Sequence, residues 1–190
     1  MKEKLTSFFR KFSLIHRFAK NFYWKTLGFK AKILGTKGEE KKWGKRHLGL
    51  GSDWGEEEKD WVKSYWDFRN HPHRQILVEK ISQYSPSTIL EIGSNCGPNL
   101  YLLSQKFPKA KMVGIDINEE AVKIGNKLFA ESGVSNVKLL VNKADELEQF
   151  SNKSFDIVFT DALLMYIGSD KIENILKEIL RIVKKSSSFA

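Results

Sequence analysis

Four acids and one glycine loop carry the chemistry legible in this chain. Glu91 stands two residues before Gly93, and Gly93-Ser94-Asn95-Cys96-Gly97-Pro98 is a loop that no strand continues through. Glycines at 93 and 97 let backbone pass close to a ligand, where a Cβ would collide. The N–H groups that open the next helix, with its dipole, face the same point. Asp116 lies 25 residues beyond Glu91, at the end of a second apolar run, suited to accepting hydrogen bonds from two ribose hydroxyls. Asp145 and Asp161 follow a third and a fourth such run. Acids in series at the ends of apolar runs, one beside a glycine loop, describe a nucleotide-type site along one end of a sheet.

The elements that must position them follow from the apolar pattern. Thr88–Ile92, Lys111–Asp116, Val137–Val141 and Ser154–Asp161 read as buried strands rich in β-branched residues. Between them, Asn99–Phe107 carries Leu100, Leu103 and Phe107 at helical spacing, and Asn118–Ser132 is a helix with Gly133 as its C-cap. Lys171–Lys185 is amphipathic, with Ile172, Ile175, Leu176, Ile179 and Ile182 as its stripe. Ahead of the first strand, Glu56–Asn70 reads as an aromatic-rich helix with Trp61, Tyr65, Trp66 and Phe68. His71-Pro72-His73 breaks it, and Pro72 opens a further helix over Arg74–Tyr84 that buries Ile76, Leu77 and Ile81. Two histidines around a proline, with no third His or Cys nearby, are turn and cap residues rather than metal ligands. The expected fold is α/β: a Rossmann-like parallel sheet of about four strands with flanking helices.

A dinucleotide fingerprint, G-x-G-x-x-G, would need glycine at 95 and 98, where the chain has Asn95 and Pro98. Glu91-x-Gly93-x-x-x-Gly97 instead resembles the first motif of the class I S-adenosylmethionine (SAM)-dependent methyltransferases, with Asn95 in place of the middle glycine. Phe155-Asp156-Ile157-Val158 resembles their fourth-motif strand. The resemblance covers roughly residues 60–185 and implies SAM as cofactor. It implies Glu91, Gly93, Ser94, Asn95 and Gly97 as the loop around it, and Asp116 with Ile117 at the ribose. Ala144 and Asp145 would lie at the adenine amino group, and Thr160 and Asp161 would border donor and acceptor. Asp145 is alternatively an ordinary N-cap of a short helix. The helix before the first strand folds over the cofactor in such enzymes, which offers Tyr65 as a contact; plain packing on the sheet is the alternative. If the acceptor must lose a proton, Asp161 is the nearest base, with Tyr166 and His71 or His73 behind it. Complete members continue with three more strands, and Ser187–Ala190 could at most begin the fifth, so the core is C-terminally short: a fragment, a truncated product, or a chain whose open edge is covered otherwise.

Charge separates the chain into two parts, an arm and linker over 1–55 and a SAM-binding domain over 56–190. Residues 1–50 hold 14 Lys/Arg against 3 acids, whereas residues 51–190 hold 18 against 20. Residues 1–34 read as a basic amphipathic helix with Leu5, Phe8, Phe9, Phe12, Ile15, Phe22 and Tyr23 on one face. That pattern suits an anionic membrane surface, a helix packed on the domain, or contact with RNA phosphates. Residues 35–55 are glycine-rich and charged and read as a linker. The one cysteine, Cys96, excludes a disulfide framework and points to a reducing, cytoplasmic setting, with the arm at the inner face of the membrane. The expected activity is methyl transfer, at oxygen, to a small-molecule or glycan/lipid-linked acceptor. The alternatives are an RNA-modifying methyltransferase that uses the arm and a non-catalytic methyltransferase-like protein.

Overall fold

The computed structural model describes residues 37–45 and 61–184. Residues 37–44 form helix α1. There follow α2 (Trp61–Asp67, extended by a 3-10 turn, Phe68–Asn70), α3 (Pro72–Ser82), β1 (Thr88–Ile92), α4 (Pro98–Lys106), β2 (Lys111–Asp116), α5 (Glu119–Glu131), β3 (Val137–Val141), β4 (Ile157–Phe159), a 3-10 turn (Leu164–Tyr166) and α6 (Ile172–Ile182). The strands make one parallel sheet in the order β3-β2-β1-β4. The order reverses between β1 and β4, and a crevice forms at the strand tips of such a reversal.

The near-continuous apolar strands have both faces covered, as a parallel sheet requires. Ile89 and Met112 face a core that holds Trp61, Trp66, Leu100, Leu103, Phe129 and Leu139. Leu90, Ile92 and Ile115 face the other, with Leu147, Phe155 and Ile182. The alternation puts Glu91 on the first face, toward α4.

Local capping follows the sequence closely. Pro72 opens α3 with His71 as N-cap, Asn118 caps α5 by accepting from Ala121 N–H, and Gly133 (φ 69°) ends α5. Some expectations need correction. Ile76 is exposed on α3, and Leu176 is partly exposed on α6, whose buried positions are Ile175 and Ile182. The fourth strand is shorter than Ser154–Asp161, spanning Ile157–Phe159, and Phe155 bridges Val183 instead. The stretch read as linker contains α1. The basic arm over 1–34, and residues 56–60 of the expected aromatic helix, lie outside the described residues. A fifth strand position begins earlier than Ser187: Val183 bridges Phe155 in parallel, and Lys184 N–H donates to Phe155 O at 2.8 Å.

Asp156 ties the start of β1 to this corner. One oxygen accepts from Ser87 and Thr88 N–H, both at 2.8 Å, and from Thr88 Oγ1 at 3.1 Å, while the other accepts from Lys184 Nζ at 2.7 Å. Burial works to raise its pKa, but the bonds from Lys184, Ser87 and Thr88 outweigh it and hold the carboxyl at about 2. A depressed folded-state pKa adds stability above the ordinary carboxylate value, which is lost as pH falls toward 2. Asp156→Ala is expected to lower the unfolding free energy at pH 7 by about 1–3 kcal/mol in urea titrations, because it leaves backbone donors unpaired.

Candidate active site

The loop after β1 is drawn against the end of β2. Gly93 and Ser94 N–H both donate to Ile115 O, at 2.8 and 2.9 Å, and Asn95 N–H donates to Asp116 Oδ2 at 2.7 Å. Asn95 has φ 53°, the left-handed region that Asn tolerates better than other residues with side chains, so it serves where the motif has glycine. Its Oδ1 accepts from Cys96 N–H at 2.6 Å. Gly97 has φ 80°, and a Cβ there would lie 2.7 Å from the Phe129 ring. Two further glycines set the seat of the loop: a Cβ at Gly114 would lie 2.5 Å from Leu139 and 2.6 Å from Ser94 Oγ. One at Gly125 would lie 2.6 Å from Cys96 O. Cys96 is buried, and burial pushes its thiol up to about 12, so it is a loop-packing residue with no thiolate chemistry.

A cavity of about 1040 Å³, its open mouth included, lies at the strand tips. Of the residues singled out from sequence, Tyr65, Gly93, Asn95, Asp116, Ile117, Ala144, Asp145 and Asp161 line it. Glu91, Ser94, Gly97 and Thr160 stand outside its wall. Asp116 accepts Asn118 N–H at 2.8 Å as well as Asn95 N–H, yet burial raises its pKa above the ordinary value. Each of its oxygens keeps a second lone pair for a ligand hydroxyl. Asp145 caps no helix; it pairs with Lys171 Nζ at 2.7 Å.

Behind the wall lies a polar centre that the sequence did not announce. Arg74, 2% exposed, donates to Asn99 Oδ1 at 2.6 Å, approaches Asp161 Oδ2 at 3.7 Å and lies 4.7 Å from the Tyr65 ring centroid. Asn99 Nδ2 donates to Glu91 Oε1 at 2.7 Å and to Asp161 Oδ2 at 3.1 Å, so one amide spans β1 and the loop after β4. His73 Nε2 reaches Asp161 at 3.3 Å, and the Nδ1 atoms of His73 and His71 are 2.8 Å apart. The histidine pair thus caps the helix, as expected, and also touches the site. No group of metal-binding side chains exists among the described residues. Arg74 and Asn99 open helices, where polar residues are commonplace, so nothing in their spacing marked them.

The residues present fit SAM. Five carboxylates line the cavity beside one lysine and four aromatic rings, Trp43, Trp61, Tyr65 and Tyr166, which suits a ligand that carries an ammonium, a sulfonium and ribose hydroxyls. Among the described residues, buried Glu91 Oε2 has no hydrogen-bond partner.

A methyltransferase-domain family model matches residues 89–186, more than half of the chain. The chain belongs to the class I SAM-dependent methyltransferases. It is 28% identical over 113 residues to a sterol 4-C-methyltransferase of Caenorhabditis elegans, which covers 60% of this chain and 33% of that protein. It is 24% identical over 116 residues to a catechol O-methyltransferase of Mus musculus, covering 60% and 42%. The chain therefore spans less than half the length of these relatives. A SAM-dependent methyltransferase from Aquifex aeolicus shares the fold at a TM-score of 0.51 and 24% identity, covering 64% of this chain and 66% of that one. The four-stranded Rossmann-like sheet and the cofactor class expected from the motifs are thus those of the family.

In this family member, burial pushes Glu91 up to about 8; Asn99 works against that, Asp161 adds to it, Arg74 opposes and Asp116 adds. A carboxyl whose folded pKa stands above its ordinary 4.5 stabilises fully in acid and loses that contribution as pH rises through about 8. Glu91→Gln keeps an acceptor for Asn99 without the titration. Its melting temperature relative to wild type is expected to rise steadily between pH 5 and pH 8, followed by thermal scans.

Proposed function

We propose that the chain is a methyltransferase that transfers the methyl group of SAM to an acceptor oxygen on a small molecule or a glycan/lipid-linked intermediate. The observation that carries this is that one cavity is lined both by the Gly93/Asn95/Asp116 cradle and by Asp161. SAM, when bound, would supply a methyl carbon on a sulfonium sulfur, open to in-line attack by an acceptor oxygen, with the thioether S-adenosylhomocysteine as leaving group as the C–O bond forms and the C–S bond breaks. The protein's share is proximity, alignment and a fixed polar environment. Asp116, oriented by the Asn95 N–H, holds the ribose end, with Ile117, Ala144 and Asp145 at the base. Glu91 holds Asn99, the amide that also binds Asp161.

Asp161 takes the acceptor proton. It faces the cavity and is held by Asn99 and Arg74, which leaves its orientation defined before a substrate arrives. His73 and His71, both exposed, carry a hydrogen-bonded path from Asp161 to solvent, by which the proton leaves. Ala162, Leu163, Tyr166 and Ile167 beside it give the acceptor an apolar and aromatic surface. The named relatives act on a sterol and on a catechol, which supports an acceptor of this character. The basic Phe-rich pattern of residues 1–34 supports delivery at an anionic membrane.

Calorimetric titration with S-adenosylhomocysteine tests the cofactor assignment. Wild type is expected to bind, and Asp116→Ala to weaken binding tenfold or more, about 1.4 kcal/mol. A folded wild-type chain with no heat of binding would sink the assignment.

A further inference from the structure

α1 builds part of the cavity wall: Glu39, Glu40 and Trp43 all line it, as do Gly93 and Asn95 of the glycine loop. Three contacts, two from the turn after β2 and one from the segment before α6, seat this helix. Asn118 Nδ2, at the turn after β2, donates to Trp43 O at 3.0 Å. A Cβ on Gly44 would come within 3.8 Å of Ile117 O, so the end of α1 lies directly over the residue that follows Asp116. Lys171, from the segment leading into α6, bridges Glu40 on α1 and Asp145 at the end of β3. The Trp43 ring is itself fixed at both ends, its Nε1 donating to Glu39 at 3.2 Å and its face meeting Tyr166 edge-on with centroids 4.7 Å apart.

We propose that Trp43 is a cofactor-binding residue, an aromatic wall against the adenosine end of the ligand, and that Lys171 is the positioning residue that holds it there. This rests on the assignment of the cavity to SAM, and extends it to a segment well before the motif-bearing strands. An indole seated by backbone and side chain beside Asp116–Asn118 has its orientation set in advance, so little side-chain entropy is lost when the ligand arrives. The Lys171 bridge also sets the charge at the adenine end: one ammonium serves Glu40 and Asp145 together, and this trio leaves a single net negative charge on that wall.

The test uses the full 190-residue chain and S-adenosylhomocysteine, followed by calorimetry and by tryptophan emission. Trp43→Ala is expected to weaken binding at least fivefold with an unchanged melting temperature. Trp43→Phe is expected to keep affinity within about threefold but to lose most of the ligand-induced change in tryptophan emission, which Trp66→Phe, a change buried in the core away from the cavity, retains. Lys171→Met is expected to weaken binding in the same direction as Trp43→Ala and to reduce the emission change. If Asp116→Ala weakens binding while Trp43→Ala binds like wild type, the inference is overturned and the cavity assignment stands. If Asp116→Ala and Trp43→Ala both bind like wild type, the cavity assignment falls and the inference with it.

Discussion

The Ile115 carbonyl accepts hydrogen bonds from two successive N–H groups, those of Gly93 and Ser94, and this fixes where the chain leaves β1. Once those bonds are made, Asn95 must turn into the left-handed region, and its N–H meets the Asp116 carboxylate. The acid that ends β2 is thereby oriented by the loop that follows β1. The cradle is a joint product of two neighbouring strands and exists only when they are in register, Ile92 level with Ile115. Sheet pairing and ligand geometry are one constraint, which is why the site sits at the strand tips rather than anywhere along the helices.

Behind that cradle, the protein keeps ionisable groups away from water at some expense. A buried guanidinium is costly unless it is paired, and Arg74 meets this with Asn99, Asp161 and the Tyr65 ring. Glu91 avoids the same cost by a different route, with a pKa that keeps it largely protonated near neutrality. Only one of the two acids bridged by Asn99 therefore needs a buried positive partner. The network balances one cation against one anion, with a neutral acid and a neutral amide between them.

Much of this was legible in the sequence, and the limits have physical causes. Parallel strands buried on both faces are apolar runs that end abruptly, so β1 to β4 and the acids beyond them could be placed from residue types alone. Caps are equally local, which made Pro72 and Gly133 readable, while Asn118, read as the first residue of a helix, is the N-cap of α5. Contacts made across long separations were not. Arg74 reaches Asn99 across 25 positions and Lys171 reaches Glu40 across 131, and neither end of either pair has a local signature. α1 was read as linker because glycine and charge dominate its composition. Its place comes from docking on Asn118, Ile117 and Lys171, not from intrinsic helix propensity. Asp156 was visible as part of a strand motif, but its task as a clamp on Ser87 and Thr88 emerges only once β4 lies beside β1.

Gly114 and Gly125 have a consequence for how such a site can diverge. Neither lines the cavity, yet a methyl group at either would collide with Leu139 and with the glycine loop itself. The pocket wall offers latitude, since a ring or a carboxylate there can be exchanged for another and reshape what is accepted. The positions beneath offer none, because they carry the thickness of the scaffold. The tightest steric demand in this site therefore falls on its underside, at positions that no ligand touches.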